Sequence, residues 1–535
     1  MINHRPSRRS VLSYGAGLIS APLWRPFSAH AATTPQRGGA LSLLLAAEPP
    51  TLSAIANTAY NTVLVGPKVQ EGLLTYDFAL NPQPQLATDW SISPDGLKYT
   101  FKLRANVKWH DGAAFTSDDV AFSIETLKSV HPRGRSTFLN VTEVQTPDPL
   151  TAVVVLSKPA PYLISAFAAS ETPIVPKHIY ANGPVETNPA NHAPIGTGPY
   201  LFKQWERGSY ILYERNPNYW AEGRPYVDRL IVRIIPDAAS RSAAIESGDV
   251  HIASNTPISL SDVERLKQLP DIGIETNGYQ YTNGISRVEF NLDKPYFKDV
   301  RVRKAFAHVI DRHFIRDVVN FGYGEPIPGP ISASLGKFYY GALKTYPIDA
   351  RAAETLLDEA GFPRGADGVR LRLTHDYVPS GDLYRNGADY IKQALAKVGV
   401  EVKVRTQDFP AYTKRVYTDR DFDFTFNGMS NLFDPTVGVQ RLYWSKNFKP
   451  GVPFSNGAHY VNPEVDRLLE AAAVEIDAAK RYQLFVDFQN ILVEDVPDFG
   501  ILSTADITLF NRKVGGHTIG ADGVSGNLAD IHFIA

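Results

Sequence analysis

The chain has 535 residues, of which 44% are hydrophobic, 21% charged and 11% aromatic, a composition typical of folded globular proteins rather than disordered or fibrous ones. Single cores stop growing at about 250 to 300 residues, so we expect at least two lobes. The formal net charge of −2 leaves no basic surplus and disfavours nucleic acid as a partner.

Residues 1–31 have the pattern of an export signal. Arginines near the start precede an apolar run at 11–23, and Ala-His-Ala at 29–31 precedes a cleavage point. Residues 7–12, Ser-Arg-Arg-Ser-Val-Leu, resemble a twin-arginine signal, and both twin-arginine and general secretory export stay open. An uncleaved anchor is disfavoured because Pro22 interrupts a run too short to span about 30 Å of hydrocarbon.

The chain contains no cysteine. This excludes a disulfide framework, a thiol nucleophile, a Cys-ligated zinc and a lipid-modified Cys anchor. Removing the four arginines of residues 1–31 leaves 50 basic against 56 acidic side chains, a formal charge of −6. We expect a soluble, monomeric protein without a lipid anchor, and a Gram-negative periplasm suits such a freely diffusing protein best.

Strands are the first elements that the pattern predicts along the chain. Residues 40–46 form a short apolar run between Gly39 and Pro49-Pro50, which is typical of a buried strand. Residues 99–104 alternate apolar and polar side chains, as a half-solvated strand does. Two further β-branched stretches lie at 150–156 and 226–235. The first half of the chain is therefore predicted to be rich in strand.

Helices become prominent in the second half. Asp299 is a predicted N-cap, and apolar residues follow at helical spacing: Val302, Ala305, Phe306, Val309, Ile310 and Val318. Three more helices are predicted at 352–360, 388–398 and 463–476, with strands between them at 371–373, 400–404 and 422–426. Strands alternating with helices indicate an α/β lobe.

Motifs that carry chemistry are missing from the sequence: it has no G-x-S-x-G, H-E-x-x-H, Walker loop or G-x-G-x-x-G. The best metal candidate is the set Asp419, Asp421 and Asp423. An EF-hand would need Gly where Thr425 stands and Glu where Ser430 stands. We therefore expect no catalytic residue, no metal site and no cofactor.

Histidines give no stronger signal. His308 and His313 are five residues apart on a predicted helix, so they do not share a face as a ligand pair would. His110 and Asp111 could form an acid–base pair, but Asp-Gly after an alternating strand is a turn signal. Nothing in the sequence requires an enzyme.

Several sequence blocks occur in the order of one known family. They are FKLR (101–104), VKWHDG (107–112), FTSDDVAF (115–122), GTGPY (196–200), RNPNYW (215–220), DVRVRKA (299–305), LLDEAGF (356–362) and NPEVDRLL (462–469). Together they resemble family 5 extracellular solute-binding proteins, which serve dipeptide, oligopeptide and nickel ABC importers. The resemblance covers almost the whole mature chain.

The resemblance implies an α/β, two-lobed periplasmic binding protein fold of the large cluster C type, with an inserted subdomain and a hinge-closing cleft. The implied division is lobe I at 32–75, 199–287 and 498–535, the inserted subdomain at 76–198 and lobe II at 288–497. A solute would lie between the lobes. The closed form would then be recognised by an ABC permease in the inner membrane.

The implied pocket departs from the family pattern at 427–435, which reads Asn-Gly-Met-Ser-Asn-Leu-Phe-Asp-Pro. Peptide binders of the family have Gly-Trp here, followed by an Asp that pairs with the peptide's amino group. Met429 replaces the tryptophan, and Asn431 or Leu432 stands where that Asp is expected. A neutral amide forgoes a charge-assisted hydrogen bond worth about 1.5 to 3 kcal/mol. Asp434 could supply the charge, or form a turn with Pro435.

Candidate ligand-binding residues come from the segments that the family places at the cleft: Tyr60, Asn61, Tyr281, Asn283, Tyr377, Asn427, Gly428, Met429, Asn431, Phe433, Asp434 and Arg441. Arg441 could face an anionic ligand group, and Arg441→Ala is then expected to weaken binding without lowering the melting temperature. A modified or short peptide is favoured as ligand, followed by an opine-like or other amino-acid conjugate and then by nickel or its chelate. An exported enzyme on the same fold is the remote alternative.

Overall fold

The computed structural model describes residues 35–534, so the predicted export signal at 1–31 lies outside the described residues. Within 35–534, each helix is too short or too polar to serve as a membrane span.

Twenty-two strands occur in the described residues. In chain order they are β1 Pro35–Gln36, β2 Ala40–Leu45, β3 Leu74–Tyr76, β4 Pro82–Pro84, β5 Ala87–Ile92, β6 Lys98–Leu103, β7 Val141–Asp148, β8 Thr151–Leu156, β9 Tyr200–Glu206, β10 Tyr210–Arg215, β11 Arg229–Ile234, β12 Ile252–Ala253, β13 Ile272–Glu275, β14 Gly284–Phe290, β15 Glu325–Pro326, β16 Leu371–Tyr377, β17 Val400–Arg405, β18 Phe424–Ser430, β19 Asp498–Ser503, β20 Thr508–Asn511, β21 Val514–Gly515 and β22 His532–Ile534.

The α-helices of the same range are α1 Tyr60–Val65, α2 Ser117–Val130, α3 Gly134–Thr137, α4 Lys177–Tyr180, α5 Ala238–Glu246, α6 Leu260–Leu266, α7 Pro295–Lys298, α8 Val300–Val309, α9 Arg312–Phe314, α10 Ala350–Glu359, α11 Asp382–Ala396, α12 Phe409–Thr413, α13 Pro435–Gly438, α14 Gln440–Tyr443, α15 Pro463–Ala472 and α16 Ala478–Asp495. Short 3₁₀ segments are Gly66–Lys68, Pro161–Ser165, Val185–Thr187, Pro189–Asn191, Ser445–Asn447 and Gly523–Ser525, and π-helical turns are Ile315–Val319 and Lys414–Thr418.

Lobe I is built on a seven-stranded sheet in the order β13-β20-β12-β2-β11-β10-β9. The central strand β2 pairs in parallel with β11 and β12. Because both of its edges are paired and five of its six residues are buried, β2 reads as a continuous apolar run in the sequence. The predicted buried strand at 40–46 is confirmed.

The inserted subdomain contains the antiparallel sheet β5-β6-β8-β7 with α2 packed against it. Tyr99, Phe101 and Leu103 alternate with exposed or half-buried residues along β6, so one face of the strand enters the core. A capping box between Thr116 and Asp119 fixes the start of α2.

Lobe II is built on the six-stranded sheet β15-β19-β14-β18-β16-β17. Strand β16 runs parallel to β17 and β18, and α11, which connects β16 to β17, packs against this part of the sheet in the α/β manner that the alternating pattern predicted. Asp299 caps α8 by accepting a hydrogen bond from the amide of Arg301 at 2.9 Å, which confirms the predicted N-cap. The last predicted helix ends at Ala472 rather than at 476.

The predicted borders between the lobes differ from the sheet membership. Strand β14 crosses the border predicted at 287/288, and β19, predicted in lobe I, pairs with β14 in the sheet of lobe II. Both strands are almost fully buried, so their backbone groups must pair within one sheet. The chain therefore passes from the seven-stranded sheet to the six-stranded sheet before residue 284 and returns after residue 503, and these two links are called the first and second crossings.

Candidate functional site

A cavity of about 660 Å³ lies between lobe I and lobe II. Lobe I and the second crossing contribute Ala238, Arg241, residues 255–260 and residues 504–506; lobe II contributes Gly284, Ile285, Asn320, Val378, residues 380–384, Phe409, residues 428–430 and Phe454. The cavity is the candidate functional site, because both lobes supply its walls and a hinge motion would change its size.

Two glycines allow close approaches at the wall formed by lobe II. A Cβ on Gly428 would lie 2.0 Å from the hydroxyl of Tyr384, and a Cβ on Gly284 would lie 2.1 Å from Oγ1 of Thr504. Real Cβ atoms do not approach other heavy atoms that closely. The glycines therefore let Tyr384 and Thr504 pack directly on the strand ends beside the cavity.

The opposite wall, in lobe I, contains an unusual backbone. Asn255 and Thr256 both have positive φ, 63° and 49°, a conformation rare for residues with side chains and costly for a β-branched one. The amide of Asn255 donates to the hydroxyl of Tyr279 at 2.8 Å, and the amide of Thr256 donates to the carbonyl of Ile507 at 2.9 Å. These bonds hold the loop against the second crossing.

Asp506 is an acidic residue of the cavity that the sequence reasoning missed. Burial raises the pKa of its carboxyl, and the hydroxyl of Thr256 donates to it at 3.4 Å. Within residues 35–534, no Arg, Lys or His nitrogen lies within 4 Å of this carboxylate. The sequence signal that could have identified Asp506 is an acidic residue in the short link between two strongly apolar stretches.

Arg241 is the basic residue of the cavity wall, and it was also missed. Its Nε donates to the carbonyl of Pro257 at 2.6 Å, and its NH1 donates to the carbonyls of Ile235 at 3.1 Å and Pro236 at 2.6 Å. The guanidinium thus ties α5 to the loop at 255–260, and its charge is already solvated by backbone oxygens.

Three of the predicted ligand-binding residues, Tyr60, Asn61 and Tyr377, are spread around the cavity and are not among the residues that line it. The hydroxyl of Tyr60 lies 3.1 Å from Oγ of Ser254, next to the wall residue Asn255. Asn61 donates to the carbonyl of Ala47 at 2.8 Å, and Tyr377 is buried immediately before the wall residue Val378.

Gly428 and Met429 are the predicted candidates that line the cavity, whereas their neighbour Asn427 points into a buried ionic network. Asn427 accepts a hydrogen bond from Nε of Arg287 at 3.2 Å and donates to Glu289 at 2.7 Å. Arg287 also pairs with Asp498 at 2.7 Å. Burial opposes the charge of Arg287, yet the two carboxylates raise its pKa well above the usual value.

Asn431 is held in the scaffold below the cavity. Its Oδ1 accepts a hydrogen bond from the amide of Ser332 at 2.6 Å, and its Nδ2 donates to the carbonyl of Pro330 at 3.2 Å. The side chain has no exposed surface. Asn283 is similarly buried and donates to the carbonyl of Leu432 at 3.2 Å. The structure therefore places both amides in backbone contacts and not at the cavity.

Tyr281, Phe433 and Asp434 lie on the far side of the loop that follows β18. Tyr281 stacks on Phe433 with ring centroids 4.9 Å apart, and its hydroxyl donates to the carbonyl of Ser165 at 2.8 Å. Phe433 and Asp434 line a second cavity, of about 700 Å³, between the inserted subdomain and lobe II. Asp434 forms a buried ion pair with Arg481.

Residues 81–451 match the family model described as bacterial extracellular solute-binding proteins, family 5 Middle. This match spans more than half of the chain. The chain belongs to this family. The α/β fold with two lobes around a cavity agrees with that membership and confirms the predicted fold class.

Relatives of this family 5 solute-binding protein include a Brucella ovis protein named as an ABC transporter peptide-binding protein, which is 31% identical over 498 residues, or 89% of each chain. The Bacillus subtilis oligopeptide-binding protein AppA, solved with a nonapeptide, is 25% identical with a TM-score of 0.78 over 94% of this chain and 100% of that one. AgaA from A. tumefaciens R10, solved with agropinic acid, is 26% identical with a TM-score of 0.75, over 93% and 99%.

Arg441 of this family 5 protein lies behind the cavity wall. Its guanidinium donates to three backbone carbonyls, those of Gly438 at 3.1 Å, Phe454 at 3.0 Å and Ser430 at 3.2 Å. Burial, together with the positive charges of Arg133 and Arg287, lowers its pKa to about 10. Ser430 and Phe454 stand between this side chain and the cavity as lining residues.

The aspartates that the sequence offered as a metal set are separately engaged. Asp421 pairs with Arg405 at 3.1 Å, and Asp423 accepts a hydrogen bond from the amide of Thr374 at 2.6 Å. Asp419 pairs with Lys414 at 2.5 Å. In the part of the chain that the structure describes, no group of three His, Cys, Asp or Glu side chains is arranged to hold a metal ion.

Proposed function

We propose that this family 5 protein is the receptor of an ABC importer, which captures a small peptide-like solute between its lobes and delivers it to a permease in the inner membrane. The observation that carries the proposal is the cavity of about 660 Å³ between the two lobes. Small-molecule sites have volumes of about 300 to 1,000 Å³, so the cavity suits a short peptide or a conjugate of similar size.

The character of the walls supports a peptide-like ligand. Strand-end residues 428–430 and the loop at 255–260 bring main chain to the cavity from both lobes. Main-chain amides and carbonyls can pair with those of an extended peptide, while pockets between them accept its side chains. Closure about the two crossings, before 284 and after 503, would then remove the peptide from water.

The location and division of the protein form part of the same proposal. Residues 1–31 act as a cleaved export signal, and the mature chain works as a soluble periplasmic monomer without a lipid anchor. Allowing for the sheet membership of β14 and β19, lobe I comprises 32–75, 199–283 and 504–535, the inserted subdomain comprises 76–198, and lobe II comprises 284–503.

The receptor returns its ligand unchanged. An acyl- or phosphoryl-transfer enzyme needs a nucleophile beside a general base. Among the described residues that line the cavity there is neither a histidine nor a lysine, and the one hydroxyl that donates to a lining carboxylate, that of Thr256 to Asp506, does so over a long 3.4 Å. This lining supports binding without catalysis.

Native mass spectrometry of protein purified from its own periplasm, followed by denaturation, identifies the bound solute. A stoichiometric short peptide is the expected result. An opine-like conjugate or nickel in the cavity would keep the receptor function and replace the peptide. Incubation of the released solute with fresh protein must return it intact, and conversion to a product would overturn the receptor proposal in favour of an enzyme.

A further inference from the structure

One hydrogen bond joins the side chains of the two lobes at a distance from the crossings. The hydroxyl of Tyr323, in lobe II, donates to Oε1 of Glu264, on α6 of lobe I, at 2.9 Å. Within residues 35–534, no other hydrogen bond or ion pair links a side chain of lobe I to a side chain of lobe II. The ring of Tyr323 also packs against the apolar core of lobe I, which includes Val263 and Leu266 of α6. Tyr323 therefore reaches from one lobe to the other.

The two partners are in complementary protonation states. Lys267 forms an ion pair with Glu264, and this bond, together with the hydrogen bond from Tyr323, holds the pKa of the Glu264 carboxyl below its usual value. Burial, and then the hydrogen bond to Glu264, raises the pKa of Tyr323 to about 12. A protonated phenol thus faces an ionised carboxylate, and such charge-assisted hydrogen bonds are stronger than those between neutral groups.

The backbone around Tyr323 has an unusual conformation. We call residues 320–325 the strap. Phe321, Gly322 and Gly324 all have positive φ, of 53°, 82° and 87°. The left-handed conformation is costly for phenylalanine. Such strain persists only where the surrounding structure holds it, and it is concentrated in segments that bind or switch.

Both ends of the strap are fixed to parts of the protein that form the cavity. At one end, Asn320 lines the cavity, and its Nδ2 donates to the carbonyl of Tyr323 at 2.7 Å. At the other end, Glu325 pairs with Ser503, the last residue of β19, where the second crossing begins. A Cβ on Gly324 would lie 2.8 Å from the carbonyl oxygen of Ser503, so the strap packs directly on the end of β19.

We propose that Tyr323 is a latch, which binds Glu264 and stabilises the joined arrangement of the lobes, so that the protein populates this arrangement before a solute enters. The inference rests on the hinge closure of the proposed receptor and adds a positioning residue that lies outside the cavity lining. A bound solute then has to supply less free energy for closure, so the latch raises solute affinity without changing the cavity walls.

The test measures the distance between the lobes in the full mature protein, after dialysis to remove small molecules. The chain has no cysteine, so two introduced cysteines are the only labelling sites. Spin labels at Gln268→Cys in lobe I and Lys392→Cys in lobe II, both exposed positions, report this distance by electron paramagnetic resonance. We expect a shorter and a longer distance population. Tyr323→Phe should lower the ratio of shorter to longer about tenfold, because a hydrogen bond to a charged group is lost.

Tyr460→Phe is the matched control. The hydroxyl of Tyr460 also donates to a carboxylate, that of Asp495 at 2.6 Å, but both residues belong to lobe II. This variant should lower the melting temperature and leave the distance ratio unchanged. Glu264→Ala removes the acceptor and should match Tyr323→Phe. Glu264→Gln keeps an acceptor oxygen for the phenol, so its ratio should fall less.

An unchanged ratio in Tyr323→Phe, or an equal fall in Tyr460→Phe, would overturn the latch while the receptor function stands. A single longer distance in the labelled parent protein would also overturn the latch, because Tyr323 then fails to hold the lobes together. Titration with a pool of tripeptides separates this failure from that of the receptor. A shift of the parent to the shorter distance would keep the receptor function, whereas no shift at any peptide concentration would count against the peptide receptor as well.

Discussion

Arg481 holds the carboxylate of Asp434 through two parallel hydrogen bonds, with NH2 2.7 Å from Oδ1 and NH1 2.9 Å from Oδ2. Both side chains are buried, with 7% and 2% of their surface exposed. The amide of Thr436 also donates to Asp434 at 2.9 Å. Asp434 thus joins α16 to the segment after β18, and Arg481 neutralises the charge that could otherwise attract a ligand's amine.

Asp434→Ala is expected to lower the free energy of unfolding by about 3 to 5 kcal/mol, because it leaves the Arg481 guanidinium buried without a counter-ion. Urea unfolding measures this loss. The double variant Asp434→Leu/Arg481→Met should recover much of the stability, since both charges are removed. A variant that is as stable as wild type but binds its solute tenfold more weakly would instead place Asp434 in the ligand site.

Arg441→Ala is expected to lower the free energy of unfolding by at least about 1.5 kcal/mol, because three backbone carbonyls lose a charged donor. Arg441→Lys should be intermediate, since an ammonium cannot reach all three oxygens in the fork geometry of guanidinium. Thermal unfolding of the two variants checks the order. Unchanged stability together with weaker binding of an anionic solute would support the direct ligand contact expected from sequence.

Gly428→Ala is expected to destabilise the protein by about 1 to 3 kcal/mol through overpacking against the hydroxyl of Tyr384. Tyr384→Phe removes the clashing oxygen, so the double variant should be more stable than the sum of the single effects predicts. The coupling is read from urea unfolding of the four proteins. Additive effects would show that Tyr384 already moves away from the strand end.

His375 gives stability a dependence on pH. The ring is fully buried on Phe424, with centroids 4.3 Å apart, and burial lowers its pKa to about 3. The unfolded chain takes up a proton near pH 6.5 and the folded chain does not, so stability falls as the pH drops below about 6.5. Between pH 7 and pH 5 this single group should cost about 2 kcal/mol of unfolding free energy.

His375→Leu should remove that loss, so its stability relative to wild type should improve by about 2 kcal/mol from pH 7 to pH 5. Denaturant unfolding at both pH values measures the difference. His313→Leu, at an exposed position, is the control and should keep the wild-type slope. Parallel pH slopes for His375→Leu and wild type would mean that the buried ring accepts a proton in the folded protein.

Local patterns predicted much of the fold, and nonlocal pairing decided what they could not. The apolar run at β2 and the helical spacing after Asp299 were readable because burial repeats with the period of each element. The sheet to which β19 belongs could not be predicted from the sequence, because an apolar strand fits either sheet. Hydrogen bonding to β14 decides between them. The lobe border that we propose includes β19 in lobe II for that reason.

In the candidate site, too, local sequence predicted one part and the tertiary structure decided the rest. Sequence placed Gly428 and Met429 in the right segment, and both line the cavity. Sequence could not distinguish Asp434 from Asp506, because the partner that neutralises Asp434 lies 47 residues further along the chain. The absence of a partner for Asp506 depends on the whole surrounding structure and has no local signature.

The sequence by itself determined the class of the molecule: composition, periodicity and the ordered motifs specify an α/β chain of two lobes from the family 5 solute-binding proteins. Only the tertiary structure decided which charges remain available to a ligand. The physical reason is that the free energy of a buried charge depends on groups brought near it by folding, and those groups come from distant parts of the chain.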